Sequence, residues 1–439
     1  MKHDDPFDSL LGAPPPADPM AAPASEAEVR FVRRLLWAWL GLTVYGTLYP
    51  WTGPAIPDGS VGALLVASLG RRQSASDVLF NLLVYIPLGL LLMRALGSPR
   101  PGGGQLAAVT LIGGALSLSL ECGQAFVPPR APSMVDVFTN TAGTLLGGLL
   151  GMTRALPGEW RARAARWRQS HLLPGALPLF GALVLTLWAV AQLSPFVPAP
   201  SVSHIRHGLA PLWHTLAGDQ PFSVTRWLEY GGAVLALAVV GRRMLRPEVP
   251  AWRLYAVLGL VLLYKVPVVD RQLTLEAALG WLAGVALAHL AGRRRWPAAC
   301  ALLVSVAADR LSTGDDALLR PMDWVPFHGQ MATLSGIADV ADAVWPYAAL
   351  AFLAAGAGRA ASRGRIAAGA LAVFGLAFAL ELLQQGIPGR YPDITDPIVA
   401  LAAWLLPWCH PALRAPAPPD PLAPEPDALP AGRPRHPTR

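Results

Sequence analysis

The sequence predicts an all-helical, polytopic membrane protein with about twelve spans, arranged as three degenerate four-helix repeats. Composition is the first reason: 53% of the 439 residues are hydrophobic and 14% charged, with a mean hydropathy of +0.41. Soluble chains carry roughly 25% charged residues. The second is that the apolar residues fall into runs long enough to cross hydrocarbon as helices, which satisfy their own backbone hydrogen bonds. The third is an internal similarity that returns at module length. Together these exclude a large soluble enzyme, a disordered chain and a nucleic-acid-binding protein. Three cysteines, Cys122, Cys300 and Cys409, sit singly in apolar stretches, so neither a disulfide framework nor a thiolate metal site is expected.

The elements follow in chain order. An acidic, Pro-rich stretch, residues 1–29, reads as a disordered tail. The first apolar run, 33–50, lacks a small-residue cleavage site after it and is expected to remain as a helix rather than be removed as a signal peptide. Runs 78–96, 106–127 and 135–153 complete a first module, 30–155. Runs 173–193, 226–241, 251–269 and 273–291 make a second, 172–292, and runs 297–311, 338–356, 366–386 and 394–408 a third, 296–410. Residues 411–439 are Pro-rich and again read as a disordered tail.

Short basic loops orient the chain. Arg154, Arg161, Arg163, Arg166 and Arg168 share one loop; Arg242, Arg243 and Arg246, then Arg293 to Arg295, then Arg359, Arg363 and Arg365 occupy others. With an even number of spans these loops and both termini fall on one side. The positive-inside rule makes that side cytoplasmic. The excess of 35 Lys+Arg over 28 Asp+Glu, a net +7, is thereby read as topology rather than as nucleic-acid binding.

The repeat is carried by polar residues. Glu121, Gln124, Arg130 and Asp136 recur without a gap as Glu381, Gln384, Arg390 and Asp396. Asp77 and Tyr85 recur as Asp339 and Tyr347, eight residues apart in both places. A weaker middle copy aligns LYPW, ending at Trp51, with LSPF, ending at Phe196; Tyr85 and Tyr230 each lie 34 residues further on. Arg130 then matches Arg271 and Gly143 matches Gly284, while Leu262 replaces the Glu and Glu276 stands one residue out of register with Asp136. Modules with an even number of helices keep one orientation, so these are parallel repeats.

The first module collects the groups that could do chemistry. Asp77, Asn81 and Tyr85 share one helix face at four-residue spacing. Glu121 and Gln124 stand at the end of the next helix, Arg130 in the loop VPPRAPS, and Asp136 and Asn140 open the fourth helix. Gly143, Gly147 and Gly151 continue that face and would let another helix approach closely. These residues form one candidate ligand-binding set, expected beneath the extracytoplasmic surface. One reading is a brace in which Glu121, Asp136 and Arg130 satisfy one another. The other is a shallow cavity where the Arg130 guanidinium meets an anionic headgroup, with Glu121 as a candidate general base. A second candidate cluster is Asp339, Tyr347, Glu381, Gln384, Arg390 and Asp396. There both asparagines are gone, replaced by Ala343 and Ala400.

DVLFNLLVYIPLGLLL, SLSLECGQAFVPPR and VDVFTNTAGTLLGGLLG resemble the VanZ-like family, whose pattern is an Asn-x-x-x-Tyr/Phe-x-Pro-Leu-Gly helix, a Glu-x-x-Gln helix end, an Arg loop and an Asp-x-x-x-Asn-x-x-Gly helix. Residues 77–151 carry the resemblance almost throughout and 339–400 in part. Val135-Asp136 departs from the Asp-Asp that members often have, and three modules stand where many members have one. The resemblance implies a non-catalytic membrane protein engaging an anionic lipid headgroup or lipid-linked glycan at the outer leaflet, in envelope maintenance or glycopeptide tolerance. The residues leave open a membrane-embedded enzyme on a lipid-linked phosphate or glycan, and a transporter. No cofactor is implied, and the oligomeric state is not indicated.

The remaining signals are weaker. His204, His207 and His214 read as solvated loop histidines rather than a metal site, and no metal site is expected. Asp309, Asp315, Asp316 and Asp323 form an acidic segment without EF-hand spacing and read as a solvated face. Tryptophans near span ends, among them Trp37, Trp51, Trp213 and Trp404, fit interfacial anchoring. No P-loop, zinc-protease, Gly-x-Ser-x-Gly or dinucleotide motif occurs.

Overall fold

The computed structural model describes residues 26–50, 54–57, 59–97, 101–128, 130–152, 158–314, 316–330, 334–355 and 362–410. Most of both tails, Trp51, Arg154, Asp315 and Arg359 lie outside them. The described residues form fifteen helices, and their only β pairings are isolated bridges.

The first part of the chain holds α1 (Glu26–Leu48), α2 (Val61–Ser68), α3 (Ala75–Ala95), α4 (Gly103–Gln124) and α5 (Met134–Gly151). After α6 (Gly158–His171) come α7 (Leu177–Leu193), α8 (Val202–Ala217), α9 (Val224–Met244), α10 (Ala251–Leu263) and α11 (Leu275–Ala291). The last part holds α12 (Arg295–Arg310), α13 (Leu334–Ala355), α14 (Arg363–Gln384) and α15 (Thr395–Cys409). Every apolar run overlaps a helix, run 251–269 only as far as Leu263. Four stretches are long and apolar enough to cross a bilayer: Asp77–Ala95, Gly103–Gln124, Ala338–Ala355 and Arg363–Gln384.

Three elements differ from the reading of the sequence. Residues 26–29, assigned to the tail, are the first turn of α1. The basic loop after the fourth run is largely the helix α6, whose Trp160 and Trp167 are exposed. The His-containing loop is the helix α8, despite Pro211. Ser201 caps its start by accepting from His204 N, and Gly218 ends it in the left-handed conformation, φ 86°.

Burial follows helix chemistry. A helix apolar all round belongs inside, and α9 carries such a stretch, Val234–Val240, with every residue buried. It packs against α7, α11, α12 and α13. By contrast α4, α14 and the outer faces of α10 and α11 leave Leu111, Leu260, Leu290 and Leu371 exposed. Contiguous exposed aliphatic faces on helices of this length are what hydrocarbon, not water, accommodates. The helices therefore describe a membrane-embedded protein.

One connection occurs in all three parts. Arg130 Nε donates to Tyr49 O (2.8 Å), Arg271 Nε to Ser194 O (2.6 Å) and Arg390 Nε to Ser312 O (2.7 Å), each acceptor lying just past the end of α1, α7 or α12. Each arginine also sits in the same backbone turn, its N–H bonded to the carbonyl three residues earlier. Terminal helix carbonyls lack intrahelical donors, and a guanidinium supplies them. Arg271→Ala is expected to lower stability by about 1.5–3 kcal/mol, the range for a charged donor. Denaturant titration in mixed micelles would read the change.

Candidate functional site

The site grows from helix ends that meet. Ser74 caps α3 by accepting from Asp77 N (3.1 Å), and Ser133 caps α5 by accepting from Asp136 N (3.2 Å). Both starts therefore present a carboxylate in the first turn, where the positive helix end favours it. Glu121, three residues before the end of α4, is buried, and its Oε2 accepts from Ser133 N (2.8 Å). The Asp77, Glu121 and Asp136 carboxylates are thus gathered at one end of α3, α4 and α5.

α3 and α5 approach closely because glycine removes side chains between them. A Cβ at Gly143 or Gly147 would run into the carbonyls of Leu82 or Ile86, and one at Gly89 into that of Thr144. This contact brings Asn81 to Asp136, to which it donates a hydrogen bond, while Tyr85 shares one with Ser117 of α4. Asn140 Nδ2 also donates to Ser117 Oγ (2.9 Å). The Asn140 Oδ1 is buried and has no hydrogen-bond partner among the described residues.

These side chains enclose a cavity of about 510 Å³. All eight residues of the sequence-derived set line it: Asp77, Asn81, Tyr85, Glu121, Gln124, Arg130, Asp136 and Asn140. The sequence did not point to the rest of the wall. Trp39, Thr43 and Thr47 contribute one face of α1, and Phe327, Gln330, Gly336 and Val340 come from the third part of the chain. The four-residue spacing of Trp39, Thr43 and Thr47 was the available signal on α1. Trp39 Nε1 fixes that face by donating to Val84 O (3.1 Å), and Gln124 Nε2 donates to Thr47 O (3.0 Å).

The brace expected of Arg130 is not what forms. No ion pair joins Arg130 to Glu121 or Asp136; the guanidinium faces main-chain carbonyls, Tyr49 O at 2.8 Å and Gly46 O at 3.4 Å. Neutral carbonyls at the free end of α1 are fixed in place, whereas the carboxylates already accept from Ser133 N and Asn81.

The second cluster is divided. Glu381 Oε2 accepts from Asp393 N (3.0 Å), as Glu121 does from Ser133 N, and its Oε1 accepts from Gln384 Nε2 (3.0 Å). Asp396 lies beside Glu381 and ion-pairs with Arg310, not Arg390. Arg310 also reaches Asp309 (3.4 Å) and Asp342 (3.7 Å). Arg390 instead closes the end of α12, on Ser312 and Asp309. Tyr347 and Arg310 line a small second cavity of about 50 Å³ with Glu229 and Tyr230, whereas Asp339 lies outside it, exposed.

The acidic segment is more than a solvated face. Asp323 accepts from Val325 N (2.9 Å) and pairs with His328 (2.6 Å), while Tyr45 Oη donates to Pro326 O (3.0 Å). Residues 323–330 thereby lie across the cavity. Outside them, hydrogen bonds from Arg320 and from Leu318 N hold the exposed Asp316 carboxyl below the usual carboxylate range. The three histidines face separate partners: His204 meets Val268 O, His207 meets Gln272, and His214 meets Asp219.

Fold and site define a membrane-embedded helical protein with a large polar cavity at an end of its first long helices. Residues 35–154, the segment that builds most of that cavity, match the VanZ/LLP1 family model. No curated protein and no solved structure matches the chain.

Proposed function

We propose that the chain is a multi-pass protein of the bacterial cytoplasmic membrane, both termini cytoplasmic, built from three parallel four-helix repeats. Its first repeat binds the polar head of a membrane lipid or lipid-linked glycan, without chemistry, in envelope maintenance or glycopeptide tolerance. The observation that carries the binding role is the 510 Å³ cavity walled by amides and carboxylates together with the apolar Trp39, Leu42, Phe80 and Val84. A polar recess continuous with an apolar wall suits an amphiphile. The repeat is supported by the threefold arginine-to-carbonyl bond and by the Glu121 and Glu381 carboxylates, which each accept the N–H twelve residues on.

Mass spectrometry of co-purified lipid tests the binding role. Asn140→Leu keeps the branched side-chain skeleton and replaces its amide by methyl groups; it is expected to lower the bound lipid by about tenfold, the factor for 1.4 kcal/mol. Equal lipid profiles for two well-folded proteins would overturn the proposal.

A further inference from the structure

We propose that the cavity of the first repeat takes a cationic group, a primary ammonium carried by a membrane amphiphile. This rests on the headgroup reading above and deepens it. The inference comes from comparing the three repeats at matched positions. The arginine-bonded carbonyls of Tyr49, Ser194 and Ser312 align Thr47 with Gln192 and Arg310. The arginines themselves align Gln124 with Lys265 and Gln384.

The second and third repeats each hold an internal cation at this place. In the second, the buried Lys265 donates to Tyr230 Oη (2.8 Å), the match of Tyr85, and to Gln192 Oε1 (3.2 Å). In the third, Arg310 pairs with Asp396, the match of Asp136. A small cavity, about 50 Å³, lies beside Gln192, Tyr230 and Arg310. The first repeat has Thr47 and Gln124 at the two cation positions, and there Tyr85 and Asp136 face the large cavity instead.

The substitutions are complementary. Where Arg310 enters, the asparagine matching Asn81 is Ala343, which leaves room for the guanidinium. Where no cation is built in, Asn81 supplies a hydrogen bond to Asp136. A second observation is independent of the alignment: Asn140, 95% buried in the wall, leaves its Oδ1 acceptor without a partner. Acceptors therefore exceed donors around this space. Three carboxylates face one guanidinium, Arg130, which is engaged with carbonyls. Burying such an excess favours a ligand that brings donors and positive charge.

Native mass spectrometry of the full chain in detergent tests the assignment with phosphatidylethanolamine, N-acetyl-phosphatidylethanolamine, phosphatidylglycerol and free ethanolamine. Phosphatidylethanolamine is expected to be retained about tenfold or more over its N-acetyl form, the ratio that 1.4 kcal/mol gives. The Thr47→Arg/Asn81→Ala double variant rebuilds the third repeat's arrangement and should lose that retention while remaining folded. If the double variant does not fold, Asp136→Asn is the second arm and should reduce the preference for the free amine. Displacement by free ethanolamine at matched concentration would support the cation site and assign a soluble amine as its source. Stronger retention of phosphatidylglycerol, lost in Arg130→Ala, would overturn the cationic assignment and leave headgroup binding standing. Retention of no lipid by the wild type would overturn both.

Discussion

Arg310→Ala is expected to destabilise the protein by about 3 kcal/mol or more, the cost of leaving buried charge without its partner. The guanidinium is 19% exposed and stands among Asp396, Asp309 and Asp342, with Glu381 beside Asp396. Removing it strands several carboxylates where α12, α13 and α15 meet. Arg310→Lys should recover part of the loss, because a point charge replaces the fork without its geometry. Arg310→Met combined with Asp396→Leu should also recover part of it, by removing both members of the closest pair. The unfolding midpoint in an SDS titration reads each variant. A single alanine variant as stable as wild type would show that the carboxylates do not depend on this cation.

Gly147→Ala is expected to have the second large effect. The added Cβ would meet Ile86 O and lie 2.8 Å from Leu90 N, both main-chain atoms of α3 that cannot rotate away. α3 and α5 must then separate, at a cost of about 1–3 kcal/mol for overpacking, and the upper end applies where backbone meets Cβ. Because that contact also sets Asn81 against Asp136, headgroup retention should fall with stability. Gly104→Ala is the control: it is helical, has open space around it, and should be neutral or gain up to about 1 kcal/mol from helix propensity. Similar behaviour of the two variants in thermal denaturation would mean that the α3–α5 contact is looser than described.

What was legible in the sequence divides along physical lines. Helices were legible because apolar runs are local, and all twelve runs overlap helices. The cavity residues were legible because Glu121 and Arg130 act through positions set by the turn between α4 and α5, and their spacing survives in Glu381 and Arg390. Arg130's partners were not legible. Every residue has a carbonyl, so nothing marks Tyr49 and Gly46 as acceptors. Arg310 was missed for a different reason: it enters its cluster from α12, whereas the repeated pattern drew attention to Arg390. The part played by residues 323–330 was hidden as well, since Tyr45 and Pro326 meet across most of the chain. α8 was misread as a loop; the residues that decide are the cap at Ser201 and the stop at Gly218, with Pro211 accommodated inside the helix.

The enclosure of α9 bears on how the protein is made. Its wholly apolar stretch is covered by α12 and α13, which leave the ribosome after it, while α13 also packs on α7. Until those later helices arrive, α9 lacks part of its final covering, so the middle third of the chain reaches its final neighbours only near the end of synthesis. The first third, whose α3, α4 and α5 pack chiefly on one another, can close while translation is still under way.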